Sequence, residues 1–383
     1  MKAVIVALLS LLLGGCASAP PIPPAADLFH DDRFAAPSVA IDPGAAMALS
    51  DAMREYIAGR ILRTLRGVDR RQRLLDALYR KGDLKLEYDA TMIRTAAQAF
   101  EARSGNCLAL VMMTGAFAKE IGLGVRYQLV LGEEALDRAG DIAISIGHVN
   151  LTLDDRMQLL GVATTQRDPL TVDFLPSSDG RQPRTRTLAE RTVVAMYLNN
   201  RAVESLTSAR LDDAYWWARE AIRTDPELLG AYLTLGVVYR NRQLPEFAEA
   251  ALRRISEREP ENKLALANRV IALHDLGRDD EAGALRQPLD RLDPHPPFSD
   301  FRLGMLALRE HRLDDALRLF TREVERSPDY HEFQFWLAVT YAELNDPKHA
   351  AGHLARAMAT STTRRDHDLY AAKLDRLKAL AAQ

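Results

Sequence analysis

The strongest constraint on this chain is a 34-residue spacing that recurs through its second half. With Ala195 taken as the start of a unit, Ala214, Ala248, Ala282, Ala316 and Ala350 all fall at position 20, and Pro226, Pro260, Pro294 and Pro328 at position 32. A second set agrees: Ala202, Gly236, Gly304 and Ala338 occupy position 8, and Tyr239 and Tyr341 position 11. Small residues at two fixed places let a pair of antiparallel helices approach closely, while proline stops the second helix and turns the chain. A period of this length restricts the fold to a stack of identical helical hairpins, each burying its apolar face against the next. Arg201 and Arg269 at an interior position, and Val270 at position 8, predict looser packing in units one and three. Thr362 stands where a fifth proline would be. From Asp366 to Leu380 a stripe of Leu369, Tyr370, Leu374, Leu377 and Leu380 reads as a terminal capping helix.

These positions resemble the tetratricopeptide repeat. By that family's geometry a groove is lined by positions 2, 5, 9 and 12 of each first helix, here including Leu233, Val237, Arg240 and Ile271. The same rule selects Phe298, Phe301, Met305 and Phe335 farther along. The resemblance implies an apolar groove with a few charges that binds a protein or peptide; packing between repeats or against another domain is the competing use of these side chains. The Lys and Asn set with which some such proteins clamp a peptide carboxylate is missing.

A chain of 383 residues exceeds one ordinary core. Its 47% hydrophobic and 27% charged residues argue against disorder, and a formal charge of -3 gives no footprint for nucleic acid. Lys2 precedes the apolar run AVIVALLSLLL and then Gly14, Gly15 and Cys16, a secretion signal too short to span a bilayer in the mature protein. The LGGC ending resembles a bacterial lipobox, which implies that Cys16 is lipidated. Ala17 in place of aspartate implies sorting to the outer membrane, with the protein facing the periplasm. The proline-rich stretch that follows reads as an extended tether. With Cys16 in the anchor, only Cys107 remains, so no intramolecular disulfide can form in the mature chain. A lone thiol in an oxidising compartment has to be buried or used.

Between tether and repeats, Asp42 and Pro43 are expected to open a helix continued on one face by Met53, Tyr56, Ile57, Ile61 and Leu65, with a second helix over residues 70–80. Basic residues prevail between Arg60 and Lys85, a pattern read as a solvated helix face, with anionic lipid or an acidic partner as the alternative. Ser104, Gly105 and Asn106 form a turn and cap before a buried helix, Leu108 to Ile121, with Cys107 in its first turn. Strands are expected at Val125 to Leu131, His148 to Leu153, Met157 to Leu160 and Leu170 to Phe174.

The GNC step before an apolar helix, the GH that opens a strand and the VD on a later strand resemble the transglutaminase-like branch of the papain-type cysteine enzymes, over roughly residues 85 to 180. That resemblance implies an α+β domain in which Cys107 is the nucleophile, His148 its base and Asp173 the residue that orients the histidine. The residues themselves support this reading. A thiol at a helix N-terminus feels the positive end of the helix dipole, which favours the thiolate. Before the repeats His30 is the sole other histidine, and it lies in or near the tether. Asp154 and Asp155 are expected at a hairpin tip, on the order of 20 Å from His148. Asp168, before Pro169, reads as a turn residue, which leaves Asp173 as the best-placed carboxylate. A buried structural cysteine, a structural histidine and a loop-capping aspartate are the plain alternatives. His349 and His353 have the spacing of a metal pair but no third ligand, and read as surface residues.

The expected organisation is therefore a signal and lipobox over 1–16, a tether over 17–41, a transglutaminase-like domain over 42–190, five repeats over 195–364 and a capping helix over 365–383. The expected function is acyl transfer on amide bonds, as a cysteine hydrolase or acyltransferase, with no metal or cofactor and a protein or peptide partner in the groove. The alternative is a non-catalytic adaptor lipoprotein with a degenerate cysteine domain.

Overall fold

The computed structural model describes residues 25–64, 69–80, 83–89, 93–139, 142–155, 168–174, 184–292, 298–361 and 364–381. Cys16, the signal segment, the first part of the tether and the strand expected at Met157 to Leu160 lie outside the described residues.

Asp42 and Pro43 open a single 3-10 turn, Pro43–Ala46, with the Asp42 carboxylate accepting from Gly44 N at 2.8 Å. The helix proper, α1 (Asp51–Tyr56), starts later, because Ser50 is extended and its hydroxyl accepts from Met53 N. It continues through a π turn, Ile57–Ile61, and Met53, Ile57 and Ile61 bury the expected face. Helix α2 (Arg70–Tyr79), the short strand β1 (Glu87–Tyr88) and helix α3 (Ala96–Ala102) follow, α3 starting at a capping box between Thr95 and Gln98. Arg103, in the left-handed region at φ 52°, turns the chain into β2 (Ser104–Gly105), which pairs in parallel with β1.

Helix α4 (Cys107–Glu120) is capped by Asn106, whose side chain accepts from Ala109 N at 2.9 Å, and every residue from Cys107 to Ala118 is buried. It packs on a sheet of β3 (Leu123–Ala139), β4 (Ile142–Asp155), β5 (Leu170–Val172) and β6 (Arg184–Leu188) in the order β5-β4-β3-β6, all neighbours antiparallel. Strand β6 was not expected, since RTRTL has little apolar content. Gly115 permits the close approach of α4, because a Cβ there would overlap the Tyr127 side chain.

The second half forms five helical hairpins: α5 (Glu190–Thr207) with α6 (Leu211–Thr224), α7 (Leu229–Asn241) with α8 (Pro245–Arg258), α9 (Lys263–Asp275) with α10 (Asp279–Leu292), α11 (Ser299–Arg309) with α12 (Leu313–Arg326), and α13 (His331–Glu343) with α14 (Pro347–Thr360). Helix α15 (Arg364–Ala381) buries Tyr370 and Leu374 against the last of these. The first helix begins before Ala195, so the 34-residue frame opens inside α5 rather than at a boundary. At position 8 the small residue is required: a Cβ on Gly236 would stand 2.7 Å from Leu252 Cγ, and one on Gly304 2.8 Å from Phe320 Cε1.

Unit three is loose as expected. Its α10 carries Pro288 and buries only Ala282 and Leu289, and Val270, Leu273 and Ala282 form a cluster separate from the main core. Unit one packs well, contrary to expectation, because Arg201 lays its guanidinium over the Trp217 ring and pairs with Glu204. One contiguous core runs from the front domain through unit two to Ala272, so cysteine domain and early repeats form one packed body.

The tether expectation needs correction from Ala25 onward. Leu28 and Phe34 are buried on the second-helix face of units one and two. Phe34 stacks on Tyr215 at 4.0 Å, His30 on Phe247 at 3.5 Å, and the Tyr239 hydroxyl donates to Leu28 O at 2.6 Å. Ser38 donates twice to the Asp213 carboxylate, and Arg254 pairs with Asp27 at 2.7 Å. From Ala25 to Ser38 this stretch is therefore a strap docked on the repeats.

Phe34→Ala should cost about 3 kcal/mol in a urea unfolding titration, the range for losing a buried phenylalanine. Gly236→Ala should cost about 1–3 kcal/mol by overpacking. Gly230→Ala, on α7 with open space around it, should be neutral or slightly stabilising.

Candidate functional site

Cys107 opens α4, whose first-turn amides have no intrahelical acceptors. His148 lies on β4, two residues from Asn150 and on the same face by strand alternation. The β4 to β5 register pairs Leu151 with Val172, which puts Asp173, one step past the last paired residue, opposite Asn150. The Asp173 carboxylate meets both: Oδ1 is 2.9 Å from His148 Nε2, and Oδ2 accepts from Asn150 Nδ2 at 3.0 Å. With Nε2 engaged by Asp173, the buried Nδ1 is left for the Cys107 thiol, a contact longer than a full hydrogen bond that still favours the protonated ring; among the described residues Nδ1 has no closer partner.

Burial opposes protonation of His148, but hydrogen bonding to Asp173 and Cys107 and the charges of both outweigh it and raise the imidazole to about 10. Two tyrosines border the pair. Tyr88 is pushed up to about 12 by burial and then by the charge of Cys107, and Tyr79 to about 12 by burial and then by Asp173. The site therefore sets Cys107, an imidazole whose protonated form is favoured, and a carboxylate in series. The competing carboxylates are elsewhere: Asp154 pairs with Arg126 at 3.0 Å, and Asp168 uses its backbone carbonyl to accept from Arg71.

Cys107, 8% exposed, lines one end of a cavity of about 1300 Å³ that continues along the first helices of the array. Of the eight expected groove residues, Leu233, Val237, Arg240, Ile271 and Phe298 line it. The other three are corrections. Phe301 is 1% exposed in a ring cluster with Phe320 and Phe333, and Met305 packs against that cluster. Phe335 stacks on Tyr370 of the capping helix at 5.0 Å. Missed in the sequence were Met196, Asn199 and Val203 of α5 and Arg186 and Thr187 of β6, which join the array groove to the cysteine. Asn150 and Tyr88 were missed too, although Asn150 shares the strand alternation of His148.

His349 bonds Asp346 through Nδ1, and half-buried His353 bonds Gln334, both stacked on Tyr341. They serve the packing of the last unit. No helix among the described residues is long and apolar enough to cross a membrane.

Residues 233–294 and 301–364 match a family model described as tetratricopeptide repeat, and the helical hairpins within those spans are such repeats. No curated protein matches the chain. Among solved structures, YrrB, described as a TPR protein with an unusual peptide-binding site, is 23% identical over 47% of this chain and 92% of its own, with a TM-score of 0.26. A thermophilic TPR protein of Thermus thermophilus is 17% identical over 47% of this chain and 98% of its own, at 0.32. MamA is 16% identical over 42% and 93%, at 0.24.

A histidine raised from 6.5 to about 10 on folding adds stability that is fully present below pH 6.5 and is lost as pH rises through about 10. The urea midpoint should therefore fall between about pH 7 and about pH 10, and fall less in His148→Gln. Equal declines in the two proteins would contradict the shift.

Proposed function

We propose that this is an envelope lipoprotein whose repeats hold an extended segment of a protein or peptide and present an amide of it to a Cys107–His148–Asp173 site for acyl transfer. The Cys107 thiolate attacks the amide carbonyl carbon, and the oxyanion is held by the backbone N–H of Cys107 at the start of α4. The C–N bond then breaks, the His148 imidazolium gives its proton to the departing amine, and a thioester to Cys107 remains. Water or a second amine resolves the thioester, His148 takes up the proton of that nucleophile, and the thiolate is restored. Asp173 keeps Nε2 engaged and steadies the imidazolium throughout.

The observation that carries this reading is the hydrogen bond between Asp173 and His148 beside a thiol that opens onto the repeat groove. It fits the transglutaminase-like branch of the papain-type enzymes, with its α+β cysteine domain. The LGGC step supports a lipid anchor at Cys16 and Ala17 after it an outer-membrane location facing the periplasm, and no cofactor is called for. A second reading, an adaptor whose cysteine site is inert, is supported by the family match, which falls on the repeats alone.

Iodoacetamide separates the two. In the folded full chain near neutral pH, Cys107 should be alkylated about tenfold or more faster than in His148→Gln, read by intact mass. A trapped acyl group on Cys107, found by mass spectrometry of protein from the envelope, would identify the donor. A folded Cys107 that resists alkylation, with the same slow rate in His148→Gln, would sink the enzyme reading and leave the adaptor.

A further inference from the structure

We propose that Asn150 is a positioning residue of this site: its side-chain amide holds the Asp173 carboxylate in the one orientation that serves His148. The inference rests on the acyl-transfer reading above and adds a residue to it. Asp173 lies one residue beyond the last β4–β5 pair, so the sheet ladder does not itself fix its side chain. Side-chain donors on both oxygens help do so instead, His148 Nε2 on Oδ1 at 2.9 Å and Asn150 Nδ2 on Oδ2 at 3.0 Å. A carboxylate held at both oxygens cannot swing about its last torsion without breaking one bond. Both donors come from the same face of β4, two residues apart, so their relative position is set by the strand and not by a loop.

The residue type is informative. An arginine or lysine at this place would neutralise Asp173 and compete with the imidazolium for it. An amide donates a hydrogen bond and leaves the negative charge to His148. The arrangement also costs stability. Asn150 is 2% exposed and its Oδ1 is buried with no hydrogen-bond partner among the described residues. An apolar side chain of the same volume would avoid that penalty, so the amide is better explained by its hold on Asp173 than by packing. Among the described residues the titratable groups around Asp173 are His148 from β4 and Tyr79 from α2, with Cys107 from α4 beside His148 and Tyr88 from β1 beside Cys107.

The test is the pH dependence of Cys107 alkylation by iodoacetamide in the full chain, compared among wild type, Asn150→Leu, Asn150→Ser and Asp173→Asn, with folding checked by circular dichroism. Asn150→Leu keeps the volume and loses the donor, and it should move the low-pH limb of the profile upward by about one pH unit, in the same direction as Asp173→Asn. Asn150→Ser, which retains a short donor, should lie between Asn150→Leu and wild type. If Asn150→Leu changes the urea midpoint but leaves the limb at its wild-type place, Asn150 is merely structural and the proposal is overturned. If Asp173→Asn also leaves the limb unmoved, the acyl-transfer reading itself falls, and the two failures are told apart. Should the Asn150 variants not fold, the side-chain amide of Asn150 in the wild-type protein decides by 15N NMR. Slow hydrogen exchange there, accelerated in Asp173→Asn, supports the proposal, and fast exchange in both overturns it.

Discussion

Everything at the candidate site depends on the burial of one helix. Residues Cys107 to Ala118 are enclosed on every side, and the tolerance that allows it is set by Gly115, over which the Tyr127 side chain lies. A helix buried all round cannot slide or rotate without opening voids, so its first residue is held where the Asn106 cap leaves it. That fixes the thiol. The strand that α4 packs against carries His148, and antiparallel pairing to the next strand brings Asp173 across. Three residues spread over 67 positions of sequence thus converge through one helix-on-sheet contact and one strand register.

The same core continues into the array. The main cluster of buried side chains joins the front domain to the helices of the first two units without a break, and the strap from Ala25 to Ser38 ties the chain's early part to their outer face. The second-helix face of those units is therefore covered, while the first-helix face is left as the groove that ends at Cys107. Unit three, with Pro288 in α10 and its own small cluster, interrupts this continuity.

The 34-residue register was legible because close helix approach admits few residues at positions 8 and 20, and it located every hairpin. The helix of Cys107 was legible from an unbroken apolar run behind an Asn cap, and the pairing of His148 with Asp173 was pointed to by the GH and VD motifs of the transglutaminase-like resemblance. The strap was not. Its hold comes from single aromatic stacks and hydrogen bonds to helices far along the chain, contacts that leave no period in the sequence. Strand β6 was hidden by polar residues that face solvent on an edge. Phe301, Met305 and Phe335 were assigned to the groove by family rule, but the fourth repeat and the capping helix use them as core, which position number alone does not distinguish. Asn150 was visible in the alternation after His148, yet nothing local said that Asp173 would stand opposite it.

The central claim is that His148, held by Asp173 beside Cys107, keeps its proton well above neutral pH, and 15N NMR of that ring tests it most directly. At about pH 8, both ring nitrogens should carry protons, and alkylation of Cys107 should lower the pH at which one proton is lost. A neutral ring with a single protonated nitrogen at that pH, indifferent to alkylation, would contradict the account.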